Sequence, residues 1–310
     1  MPSRFSWWRL AGLGGLVLLN VVLIALLVLR PTAPSAGERA DGVQDLAPSA
    51  TGAPEEMEEP PVKAEPSALP SLDDTVTPGP AERLLVNADA STAWRATTGN
   101  CTAPGTLERT VDGGATWEEL PLDLAPVSRL RVLGPQSLFV IGGGEGCNPT
   151  YVSSSDGGMS WMTNDAYLVG SWYLLPGDSS VIATPVGEVD APCEPAGLAA
   201  LDAQHAAVLC AEASLALTRD GGASWSATEA QIEAGAIGVA NDGYALAGMH
   251  EQCGDSVALD RVDTAGVALS EPACTELEHA DAQRLAVSAT GGAMWLWVED
   301  EVAVVTDGGS

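Results

Sequence analysis

Lysine is almost absent from these 310 residues: Lys63 is the only one, and thirteen basic side chains in all stand against 42 carboxylates. A net charge of −29 excludes nucleic acid as a partner, because phosphate binding depends on basic groups that displace counterions. It equally opposes adsorption to an anionic lipid surface. No Cys-x-x-Cys pair exists, and the three histidines, His205, His250 and His279, are scattered, so neither a metal site nor a cofactor is implied. Glycine runs lack the lysine of a phosphate loop: Gly142–Gly144 leads only into Glu145.

One long apolar run is present. Leu10–Leu29 carries no charge, and twenty helical residues would span ~30 Å, the thickness of a bilayer core. Arg4 and Arg9 precede it, with Trp7 and Trp8 at an interfacial position. This bias places residues 1–9 in the cytoplasm, a single transmembrane signal anchor over 10–29, and everything after it outside the cell membrane. A cleaved signal peptide is the competing reading. Its apolar region would be shorter, and cleavage after Ala36 would put Pro34 where a small residue belongs. Residues 30–80 follow as a disordered linker: ten prolines and ten acids between 31 and 80 give a self-repelling chain that cannot bury a core. As a coil it would reach roughly 40 Å from the lipid.

Beyond residue 81 the chain turns to short apolar stretches and glycine turns, and it repeats itself. Thr110–Trp117 reads TVDGGATW, Ser154–Trp161 reads SSDGGMSW and Thr218–Trp225 reads TRDGGASW. The chain ends on TDGGS (Thr306–Ser310), and a worn copy, RVDTAGVAL, covers Arg261–Leu269. The aspartates fall at 112, 156, 220, 263 and 307, at intervals of 44, 64, 43 and 44. A repeat of that period indicates stacked four-stranded units. In each octet the carboxylate can accept hydrogen bonds from backbone groups just ahead. The glycine pair permits positive φ, and the tryptophan offers a large apolar surface. Asp112, Gly114 and Trp117, Asp156, Gly158 and Trp161, Asp220, Gly222 and Trp225, and Asp307 and Gly309 are therefore read as structural turns.

These octets resemble the Asp-box, or BNR repeat, of the propellers of sialidases, sortilin-type receptors and photosystem II assembly factor-like proteins. The resemblance covers residues 81–310. It implies an all-β fold, a β-propeller of five or six four-stranded blades, with each octet in the last hairpin of a blade. Five blades with an insertion around Gly170–Pro195 is the preferred count, and a segment within Ser67–Pro78 is a candidate to complete the last blade.

The six cysteines fit that map. Cys101, Cys147, Cys210 and Cys253 fall between second and third strands, while Cys193 and Cys274 precede first strands, so all six gather on one face. Nearness suggests the disulfides Cys101–Cys147, Cys193–Cys210 and Cys253–Cys274, in keeping with export to an oxidising compartment.

A sialidase site would need an arginine cluster, a tyrosine with a glutamate partner, and an acidic acid/base. Arg109, Arg219 and Arg261 lie in or beside the octets, and Tyr151, Tyr167, Tyr173 and Tyr244 have no glutamate neighbour in sequence. No catalytic residue is assigned. The expected function is a non-enzymatic binding or scaffolding module for an envelope protein. The alternative is a sialidase-like glycoside hydrolase or glycan-binding module of the envelope. A cationic central channel would favour the glycan reading.

Overall fold

The computed structural model describes residues 81–278 and 281–306. The anchor, the linker, the strand candidate within Ser67–Pro78, and Asp307 and Gly309 lie outside them. Among the described residues no helix is long and apolar enough to cross a membrane.

The described chain is built of antiparallel hairpins. The first unit comprises β1 (Arg83–Asn87), β2 (Ala93–Thr97), β3 (Thr106–Thr110) and β4 (Glu118–Glu119). The second comprises β5 (Val127–Gly134), β6 (Ser137–Gly143), β7 (Pro149–Ser154) and β8 (Met162–Thr163). A three-stranded sheet follows: β9 (Tyr173–Leu175), β10 (Asp178–Thr184) and β11 (Gly187–Asp190). Next come β12 (Pro195–Ala200), β13 (Ala206–Cys210), β14 (Ser214–Thr218) and β15 (Ser226–Glu229). The last sheet has seven strands. It joins β16 (Glu233–Ala240), β17 (Gly243–Met249), β18 (Ser256–Asp263) and β19 (Ala273–Glu278) to β20 (Leu285–Thr290), β21 (Ala293–Val298) and β22 (Glu301–Thr306). The join is one parallel bridge, Ala240 to Ala289. The fold is an all-β propeller with four four-stranded blades and two three-stranded ones.

Burial follows from this radial stacking. Strands held between two neighbouring blades are covered on both faces, and β13 (AAVLC) is buried at every position, as a doubly covered strand must be. Strands at the channel alternate instead: in β1, Leu85 is buried while Leu84 and Val86 are half-exposed. The core therefore comes in slabs between blades. Trp94 and Leu107 of the first blade pack with Leu138, Val140 and Val152 of the second. Fully burying one such side chain contributes about 1.5–3 kcal/mol.

The ring closes between β1 and β20 through one buried side chain. Asn87 Oδ1 accepts from Ser288 Oγ at 2.7 Å, and its Nδ2 donates to Thr290 O at 2.7 Å and Ala293 O at 3.2 Å. Trp295 Nε1 donates to Asp89 O at 2.9 Å across the same seam. Arg95 is held between the rings of Trp117 and Trp297 while paired to Glu108 at 2.8 Å.

Two sequence expectations are corrected. Gly170–Pro195 is not an insertion into a five-bladed ring: β9–β11 form a separate three-stranded blade. Cys274 lies within β19, paired opposite Ala258, rather than in a turn before a first strand. It is the fourth strand that the worn copy at Arg261–Leu269 calls for, and Cys274 stands inside it.

Candidate functional site

The octet turns share one geometry. In the first, Asp112 Oδ1 accepts from Thr110 Oγ1 at 2.8 Å and Thr116 N at 2.9 Å, and Oδ2 from Thr116 Oγ1 at 2.6 Å. Gly114 N donates to Thr110 Oγ1 at 3.1 Å. Asp156 accepts from Ser154, Ser160 N and Ser160 Oγ, and Asp220 from Thr218, Ser224 N and Ser224 Oγ, in the same way. The worn copy keeps part of it: Asp263 Oδ1 accepts from Ala265 N and Val267 N. Hydroxyls donating to the ionised carboxylates, with backbone N–H groups in support, hold Asp112 and Asp220 down to about 2 and Asp156 lower still. Gly113 and Gly114 sit at φ 76° and 89°, which a side chain would strain.

Each turn is pressed onto the preceding blade. A Cβ on Gly158 would meet Leu120 Cδ1 at 2.5 Å, and one on Gly222 would meet Thr184 Cγ2 at 2.8 Å. Trp117 makes an edge contact with Trp295, and Trp225 with Trp172, while Trp161 packs on the slab behind the first blade. The octets thus stand on one face of the ring, fastening blade to blade. The opposite face carries the disulfides Cys101–Cys147, Cys193–Cys210 and Cys253–Cys274.

Five strands, β1, β5, β12, β16 and β20, wall a central cavity of about 330 Å³. Its surface is largely aliphatic, with Leu84, Val86, Val132, Leu198, Ile237 and Val239 among the lining residues, and no Asp or Glu is among them. The wall carries three arginines, Arg83, Arg129 and Arg131, and no carboxylate, so its formal charge is positive, with each guanidinium engaged by backbone carbonyls. Arg83 is buried beneath the Trp297 ring and donates to the Arg284 and Glu299 carbonyls. Arg129 Nη1 donates to Trp172 O at 2.7 Å and Nη2 to Ala200 O at 3.4 Å. Arg131 donates to Ala200 O and, at 2.8 Å, to Leu201 O. Burial, with the neighbouring Arg131 charge, pushes Arg129 down to about 9.

The third blade explains these two arginines. Trp172, just before β9, donates its Nε1 to Asp202 O in the β12–β13 turn, as Trp295 in the first half of β21 donates to Asp89 O in the β1–β2 turn. At the other end of β9, Gly177 lies against the Cys101 and Cys147 sulfurs. Strand β9 therefore runs from the octet face to the disulfide face, opposite to the five channel strands. It occupies the place of a second strand, and the first strand of its blade is missing. Arg129 and Arg131, two residues apart on β5, reach into that gap: Arg129 donates to Trp172 O of the third blade, and both donate to carbonyls of the fourth. The blade's outer hairpin is a vestige of the octet turn: Thr184 Oγ1 donates to Gly187 O and accepts from Val186 N, with valine where the aspartate would stand.

The remaining candidates are dispersed. His205 sits on the exposed Asp202 turn, 2.9 Å from its carboxylate, and His250 accepts from Gln252 N at a short turn. Arg261 pairs with Asp242 at 2.7 Å. Tyr151 and Tyr173 pack with Phe139 between the second and third blades, and Tyr244 lies in a different slab. Among the described residues no three His, Cys, Asp or Glu side chains cluster as metal ligands would. The roles of Arg129 and Arg131 escaped sequence reasoning. Their signal was present as short spacing: Ser154, Thr184 and Thr218, the hydroxyls that open successive turns, lie 30 and 34 apart instead of 44.

No family model matches this chain, and no curated protein does. Solved structures similar to it are propellers of low sequence identity. YCF48 bound to D1 peptide has 20% identity over 74% of this chain and 68% of that one, at a TM-score of 0.27. SapL1 lectin in complex with alpha methyl fucoside has 10% identity over 73% and 95%, at 0.39. The GH74 enzyme of Niastella koreensis has 13% identity over 73% of this chain but only 37% of its own length, at 0.34.

Proposed function

We propose that this chain is a non-enzymatic binding or scaffolding propeller, held outside the cell membrane through the apolar segment of residues 10–29 and displayed on the segment 30–80. The observation that supports this reading is the channel wall. It is aliphatic, carries no carboxylate, and has its arginines already committed to backbone carbonyls. Acid/base hydrolysis of a glycoside asks for paired carboxylates flanking a bond, and recognition of a sugar acid asks for uncommitted cations. Inner sheet edges along an aliphatic wall suit an extended protein segment, which pairs through its main chain.

The test uses the full chain in its native membrane, with a photo-reactive residue at the channel mouth. Cross-linking to a single envelope protein is the expected result. Turnover of fluorogenic glycosides or sialosides by the purified chain would sink the proposal.

A further inference from the structure

On the disulfide side, where neither Arg129 nor Arg131 lines it, the gap left by the missing strand is a place where a partner's chain can complete the fold. A second cavity, of about 320 Å³, opens between β1, β5, β9 and β12 toward the Cys101–Cys147 bridge. It shares Ala81, Leu84, Ser128, Gly197 and Leu198 with the central channel. The two cavities therefore meet between β1, β5 and β12, and the second reaches outward to Leu174 and Leu175 of β9, the end strand of its sheet. Each of the other five blades has a strand at this radius.

We infer that this slot takes an extended peptide segment of the protein partner, added as the absent first strand of the third blade; the inference rests on the binding function proposed above. Added strands gain affinity from main-chain hydrogen bonds and specificity from alternate side-chain pockets. Pairing antiparallel to β9, the segment runs from the disulfide face toward the octet face, as the other channel strands do. The slot walls are apolar at Val127, Leu174, Leu175 and Leu198, and its mouth carries Glu82 and Asp178. The fitting segment is thus four or five residues with apolar side chains, preceded at its N-terminal flank by lysine or arginine. Such a segment is about 15 Å long at ~3.3 Å per residue. This chain's own upstream residues are a poor match, because Asp73 and Asp74 would face the carboxylates at the mouth.

The test uses the full chain in detergent and the acetylated, amidated heptapeptide KKVSVAV, with EEVSVAV as its partner control. Amide exchange across Tyr173–Leu175 should slow on adding KKVSVAV, and EEVSVAV should bind at least about tenfold more weakly. Ser128→Phe, which fills the slot, should weaken KKVSVAV by about tenfold or more. Val239→Phe, which lines the channel but not the slot, should leave binding unchanged. Equal affinity for Ser128→Phe and the parent chain, protection elsewhere than β9, or no binding at millimolar peptide would each overturn the slot. Cross-linking of one envelope protein equally by the parent and Ser128→Phe would sink the slot while leaving the proposed function intact.

Discussion

Replacing Arg131 by methionine should expose how much the ring depends on two side chains standing in for a strand. Methionine keeps most of the apolar stem and removes the donors to Ala200 O and Leu201 O. A hydrogen bond from a charged donor contributes about 1.5–3 kcal/mol. Arg131 is only half-buried, so water can reach part of what is vacated, and the low end of that range applies to each bond. The expected loss is then about 3 kcal/mol. For a domain of this size each kcal/mol lowers the melting temperature by about 2–4 °C, so the transition should fall by roughly 6–12 °C. Arg129→Met, which loses one short bond and one long one, should cost about 2 kcal/mol by the same reasoning. Both guanidiniums meet at Ala200 O, so the double variant should lose less than the two single losses added together. Differential scanning calorimetry of the full chain reads all three. Shifts below about 1 °C, or strict additivity, would refute the claim that the arginines bridge the missing strand.

Three further outcomes follow from the carboxylates and the bridges. Asp112 and Asp220 are held down to about 2 in the folded state, so the stability they lend is complete above about pH 4 and disappears as pH falls through about 2. Melting temperatures across that window should drop for the parent chain and drop less for the Asp112→Asn, Asp156→Asn, Asp220→Asn triple variant; parallel curves would refute this. Asp260 is buried, with one oxygen lacking a partner, and burial raises its carboxyl. The cost of ionising it is absent below the ordinary carboxylate value, grows from there and is complete once pH passes its raised value, so Asp260→Asn should melt higher than the parent at pH 7 and not at pH 3. Opening the 21-residue separation of Cys253 and Cys274 with paired serines should cost about 3 kcal/mol, read as an earlier midpoint in urea.

The sequence made the architecture legible because octets at a fixed period can only be serial copies of one unit, and the cysteine pairs followed from which turns share a face. The incomplete blade was hidden for a physical reason. Its outer hairpin retains Thr184 and Gly187 but not the aspartate, so a search by carboxylate spacing steps over it and finds one long interval. The site was less legible still. Arg129 and Arg131 look like ordinary exposed positions of an alternating strand, and their targets are backbone carbonyls 43 to 71 residues away, which leave no mark in side-chain identity. The seam side chain Asn87 is hidden in the same manner.

The separation of octet turns from disulfides gives the ring two fastenings that answer to different surroundings. On one face, the turns that press blade onto blade keep their shape through ionised carboxylates, which strong acid releases and reductants ignore. On the other, sulfur bridges hold the loops, indifferent to acid but open to thiols. Acid strong enough to bring pH down to about 2 would slacken one rim while the other stayed stapled, and a reductant would do the reverse. The mouth of the β9 slot lies on the stapled rim, beside Cys101, so its shape should track redox poise far more closely than pH.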